Sequence, residues 1–129
     1  MSRHKLKFDT LPDRFAICRL SPDSAIPPWA NQGAFVSITR TADELSIICA
    51  AANVPADLNV EREWICFKLE GPIPFTQTGV VTSFVQPLSD NAIPIFVLST
   101  YDTDYILIKE AFSELAFEIL RKAGHQLTH

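Results

Sequence analysis

Two short apolar runs, Ile95-Phe96-Val97-Leu98 and Tyr105-Ile106-Leu107-Ile108, flank a six-residue polar break, Ser99-Thr100-Tyr101-Asp102-Thr103-Asp104. Runs of this length, rich in β-branched and aromatic residues, predict strands, and so short a connection makes them antiparallel neighbours. A hairpin with apolar strands cannot stand alone, so the rest of the chain must supply a layer to cover it. The connection itself is unusual. Hairpin turns commonly use Gly, Asn or Pro to reverse the chain. This one carries two carboxylates, three aliphatic hydroxyls and a phenol ring, chemistry that suits a ligand better than a simple reversal.

The flanking sequence supplies the covering layer. Residues 61–69 predict a strand, ended by Glu70-Gly71-Pro72, and the second unit is counted from Trp64. Val80, Val81, Phe84, Val85 and Leu88 then fall on one helical face. Thr76 or Thr78 offers a hydroxyl to cap that helix, and Pro87 removes a backbone donor from its last turn. After the hairpin, Phe112, Leu115, Ala116, Ile119, Leu120 and Ala123 recur at intervals of three and four, with Glu114, Glu118, Arg121 and Lys122 turned to water. This predicts a helix over 109–123 packed through its aliphatic stripe, stopped by Gly124 and followed by a short strand near residues 125–127. The order strand, helix, strand, strand, helix, strand is the α+β, ferredoxin-like βαββαβ unit: an antiparallel sheet with both helices on one face.

The N-terminal half repeats the theme with degenerate helices. A brief alternation at residues 6–8 precedes a strand at 14–20. The connection that follows contains Pro22, Pro27 and Pro28, which limit it to one helical turn around Pro28-Trp29-Ala30-Asn31. Residues 34–40 and 45–52 predict a second hairpin around Thr41-Ala42-Asp43-Glu44, and residues 54–59 a loop or single turn. The expected organisation is two units in tandem, 1–63 and 64–129.

Composition narrows the function. With 47% hydrophobic and 20% charged residues, the 129-residue chain belongs with folded soluble proteins. A net charge of −4 and the lack of any Lys/Arg cluster argue against nucleic acid, and no apolar run approaches the roughly 20 residues of a membrane span. Cys18, Cys49 and Cys66 lie singly in apolar runs and are expected as buried thiols. With no apolar segment after the basic Met1-Ser2-Arg3-His4-Lys5, the expected location is the cytoplasm. His4, His125 and His129 show no metal-ligand spacing, and no nucleotide-binding fingerprint or nucleophile motif is present. Nothing supports Ser83 or Ser99 as a nucleophile with His125 as its base. Trp29 and Trp64 are expected as core or interface anchors. No cofactor and no catalysis are expected.

The segment from Leu69-Glu70-Gly71-Pro72-Ile73-Pro74-Phe75 through Gly79-Val80-Val81, together with residues 95–108, resembles the ACT-domain family of small-molecule sensors. It is similar to the tandem-ACT subgroup with the CASTOR-type arginine sensors and small bacterial proteins of unassigned function. The resemblance covers residues 64–125 well; over 14–60 it rests on element order alone. It implies a regulatory, non-catalytic module, pairing of ACT units side by side, and a homodimer, since this chain has two units where those sensors have four. It also implies an amino-acid ligand, a basic one among the candidates, and a regulatory protein partner. The implied ligand-binding residues are Gly79, Val80 and Val81 at the helix start, and Thr100, Tyr101 and Asp104 in the hairpin; Thr78, Ser99 and Asp102, beside them in the sequence, complete the candidate set.

The residues themselves support such a site. A helix start offers free amides and partial positive charge to a carboxylate, Gly79 lets a ligand approach the backbone, and Asp102 and Asp104 suit an ammonium or guanidinium group. The same residues have plainer uses: Thr78-Gly79 as a helix cap, Asp102 bonded to its own turn, Asp104 as a solvated charge. The competing functional reading is a structural interaction module that pairs through its exposed sheet edge and binds no small molecule.

Overall fold

The computed structural model describes residues 4–128. Met1, Ser2, Arg3 and His129, which entered the leader and metal arguments, lie outside the described residues. The strands are β1 (Lys7–Thr10), β2 (Phe15–Leu20), β3 (Ser37–Arg40), β4 (Leu45–Ala50), β5 (Glu61–Leu69), β6 (Phe96–Ser99), β7 (Asp104–Lys109) and β8 (Gln126–Leu127). The helices are α1 (Val80–Asp90) and α2 (Ser113–Lys122). The chain is α+β, and the βαββαβ order from β5 onward is the expected one.

Two units divide the chain, with residues 12–64 inserted between the N-terminal segment and everything from Ile65 onward. Residues 4–11, assigned by the sequence to the first unit, therefore pack with the second. In that unit the strand order is β6-β7-β5-β1-β8. β1 lies antiparallel to β5, with Phe8 opposite Leu69, and parallel to β8, with Phe8 opposite Leu127. The N-terminal strand thus separates the first and last strands of the βαββαβ unit. Its core joins Phe8, Phe67 and Phe84 with Ile106, Ile108 and Leu120, and the Phe8 ring meets Phe67 and Phe84 edge-on at 5.3 and 5.0 Å.

Both helices depart in detail from expectation. α1 buries Val80, Phe84 and Leu88, as its spacing predicts, and ends where Ala92 turns left-handed at φ 59° and the Ile93 N–H returns to the Leu88 carbonyl. The expected second helix begins as a 3-10 turn, Glu110–Phe112, with Lys109 still in β7. A 3-10 turn advances more per residue than an α-helix, which rotates the apolar stripe. Ala116 and Leu120 are buried and Phe117 packs on the core, whereas Leu115, expected in the stripe, is 49% exposed. Gly124 ends α2 as expected, at φ 96°, with the His125 N–H bonded to the Leu120 carbonyl.

The unit of residues 12–64 is built on the β3–β4 hairpin, with Ser37 opposite Ile48, and on β2 beside β4. The tight turn is held by Thr41 Oγ1, which accepts the Asp43 and Glu44 N–H groups at 3.1 Å each. The proline-rich connection forms one 3-10 turn, Pro28–Asn31. The returning strand stops at Ala50, two residues short of expectation, because Ala51–Asn53 tightens into another 3-10 turn. Arg62 fastens the loop beyond it, donating to the carbonyls of Ala51, Val54, Pro55 and Leu58.

Candidate functional site

The start of α1 is set by backbone geometry. Gly79 occupies the N-cap position at φ 75°, a left-handed conformation that other residues adopt only at a cost. No side chain caps the helix: the expected threonine cap is absent because glycine itself fills that position. Val80 is buried and roots the helix start in the core, while Thr78 and Gly79 are exposed and Val81 is half-buried. The Ser83 hydroxyl donates to the Gly79 carbonyl at 2.7 Å. His4 lies beside this corner, its Nε2–H directed to the Thr78 carbonyl at 3.0 Å, while its main-chain N–H donates to Ser83 Oγ at 3.2 Å. A cleft of about 1000 Å³ opens here, with His4, Gly79 and Gln86 on one side and Leu115, Glu118 and Lys122 on the other.

The hairpin turn is closed by its own threonines. The Thr100 N–H and hydroxyl both donate to the Thr103 carbonyl, at 2.9 and 3.1 Å. Thr103 is 5% exposed, and its hydroxyl donates to the Leu69 carbonyl at 2.8 Å. Ser99 and Asp104 face each other where the strands open, and the Ser99 hydroxyl donates to Asp104 Oδ1. Tyr101 and Asp102 form the exposed tip. The Asp102 carbonyl accepts the Ile73 N–H at 2.7 Å, but the carboxylate bonds to nothing in its own turn. Tyr101 and Asp102 line a pocket of about 310 Å³ with Pro72, Ile73, Pro74 and Phe75. Gly79 and the hairpin tip thus line different pockets.

His125 was not foreseen as part of this architecture. It is 5% exposed; its Nδ1 accepts the Leu6 N–H at 3.1 Å, and its Nε2–H donates to the Ser83 carbonyl at 2.9 Å. That carbonyl is available because Pro87, four residues later, has no N–H to offer it. Pro87 was the signal in the sequence: it leaves an orphan acceptor at Ser83 for a partner from elsewhere in the chain. Burial pushes the His125 pKa down, opposed by its bond to the Ser83 carbonyl. Ser83 and His125 meet through a backbone carbonyl, not through a nucleophile–base contact.

The three cysteines are free and buried. Burial raises all three thiols, Cys49 to about 11 and Cys66 to about 12, while Arg62 opposes the rise at Cys18. Among the described residues, no group of three or more His, Cys, Asp and Glu could hold a metal ion, and no helix is long and apolar enough to cross a membrane.

Known proteins of the same shape carry this further. An ACT-domain family model matches residues 59–122, and a separate N-terminal-domain model matches residues 13–57. Protein Atu0741 from Agobacterium tumefaciens is 47% identical, with a TM-score of 0.90 over 96% of this chain and 92% of that one. VC0802 from Vibrio cholerae, of unknown function, shares the fold at 14% identity, with a TM-score of 0.71 over 93% of this chain and 91% of that one. An aspartate kinase from Clostridium acetobutylicum shares it at 9% identity and a TM-score of 0.65, over 95% of this chain and 36% of that one. ACT domains are typically regulatory, ligand-binding domains. The chain belongs to the same family as Atu0741 and carries an ACT domain of ferredoxin-like fold over residues 59–122.

Proposed function

We propose that this protein is a non-catalytic regulatory module that binds an amino acid, with its two units acting as ACT-like domains in tandem as in the CASTOR-type sensors. The observation that carries this reading is the start of α1, where Gly79 opens the helix with a left-handed backbone and no side-chain cap. The first amides of that helix are a receptor for a carboxylate. Thr78, Gly79, Val80 and Val81 form this half of the site. Ser99, Thr100 and Asp104 at the base of the hairpin form the half that meets the ligand's ammonium group, with Tyr101 and Asp102 at its rim. Because the helix start and hairpin tip line different pockets of one chain, a complete site draws one half from each copy of a homodimer. The ligand then regulates a partner protein through its different affinity for two packing arrangements.

Thermal shift against the proteinogenic amino acids at millimolar concentration tests the proposal. At least one amino acid is expected to raise the melting temperature, and Asp104→Ala to abolish the rise. A melting temperature that no amino acid changes overturns it.

A further inference from the structure

The tip of the hairpin, at the rim of the proposed amino-acid site, also lines a separate pocket with the 72–75 loop. Phe75 and Tyr101 are 74% and 81% exposed, yet their rings pair edge-to-face with centroids 4.9 Å apart. Exposed aromatic pairs are a feature of interaction surfaces. The main chain holds the two loops that carry them in register. The Ile73 N–H donates to the Asp102 carbonyl at 2.7 Å, and Gly71 lies so close that a Cβ there would come within 2.9 Å of the same oxygen. The pocket is therefore preformed, and binding in it would require little ordering.

We propose that this pocket receives an arginine or lysine side chain displayed by a partner polypeptide. The aromatic faces attract a cation. The exposed carboxylate of Asp102 stands beside them in the lining, and no hydrogen bond or ion pair engages it among the described residues. Exposed Glu70 precedes Gly71 in the same loop. A free amino acid is a poorer fit. The lining of Pro72, Ile73, Pro74, Phe75, Tyr101 and Asp102 holds no cationic side chain for its carboxylate. Two of these residues are prolines without an N–H, and the Ile73 N–H is already given to Asp102. Within a polypeptide the α-amino and α-carboxyl groups are neutral amides, so only the side-chain cation needs recognition.

The test uses amide NMR of the full chain, following the Tyr101 and Asp102 signals during titration with three probes. These are an N-acetylated, C-amidated Gly-Gly-Arg-Gly-Gly peptide, its glutamine counterpart, and free arginine. The capped arginine peptide is expected to shift both signals saturably, and the glutamine peptide to leave them unmoved. Phe75→Ala, at an exposed position, should weaken the arginine peptide roughly two- to fivefold, and Asp102→Asn should weaken it and flatten its salt dependence. Equal shifts with arginine and glutamine peptides, or no shift with either, overturn the proposal. Saturation by free arginine alone also overturns it. The outcome is separate from that of the amino-acid site, which is read at Gly79, Val80 and Val81 and through Asp104→Ala.

Discussion

Replacing His125 with leucine tests how the C-terminal unit is tied together. The imidazole joins three segments: the lead into β1 through the Leu6 N–H, α1 through the Ser83 carbonyl, and the start of β8 through its own backbone. Leucine fills similar space but satisfies neither group. A part-buried donor or acceptor left without a partner costs about 1–3 kcal/mol, so two such groups give an expected loss of about 2–6 kcal/mol in urea unfolding. The Pro87→Ala background makes the test specific. Alanine restores an N–H that bonds the Ser83 carbonyl within the helix, so one of the two costs disappears and the loss from His125→Leu should shrink by about 1 kcal/mol or more. An equal loss in both backgrounds would refute the argument that Pro87 creates the need for His125. The pH dependence has a definite sign. Burial lowers the folded-state pKa of His125 below its ordinary 6.5, so its contribution is full above that value and is lost as pH falls toward the folded pKa. In His125→Leu this part of the acid destabilisation should vanish.

Two further outcomes follow from other parts of the structure. Arg62→Met removes a guanidinium that bonds four carbonyls around residues 51–58; an expected loss of about 2 kcal/mol should appear as earlier proteolytic cleavage in that loop, and unchanged cleavage would contradict its role as a fastener. Cys66, buried and with its pKa pushed up to about 12, should resist iodoacetamide at neutral pH in the native protein and react on unfolding, whereas rapid native alkylation would contradict its burial.

The features legible in the sequence are those that local patterning controls. The β6–β7 hairpin, the apolar face of α1 and the Gly124 stop depend on residues close together in the chain, so periodicity and turn chemistry reveal them. The place of β1 depends on pairing with strands some sixty and more than a hundred residues away, and nothing in the Lys7–Thr10 segment specifies those partners. The threonine cap failed because Gly79 could take the N-cap position itself, and Leu115 was misplaced because the 3-10 turn before α2 changed the phase of the stripe. At the candidate site, the unusual chemistry of Ser99–Asp104 was legible, but its division was not. Thr100 and Thr103 close the turn, Ser99 engages Asp104, and the Tyr101–Asp102 tip stands exposed beside Phe75. Which hydroxyls are consumed internally is decided by the fold.

On the function proposed above, the uncapped start of α1 receives the carboxylate of an amino acid. Amide NMR of the protein titrated with the amino acid that stabilises it most tests this directly. The largest shifts should fall on the Gly79, Val80 and Val81 amides, with the same ligand lost from Asp104→Ala. Shifts that bypass these three amides, or that survive Asp104→Ala unchanged, would place the ligand elsewhere and rule out a carboxylate at the start of α1.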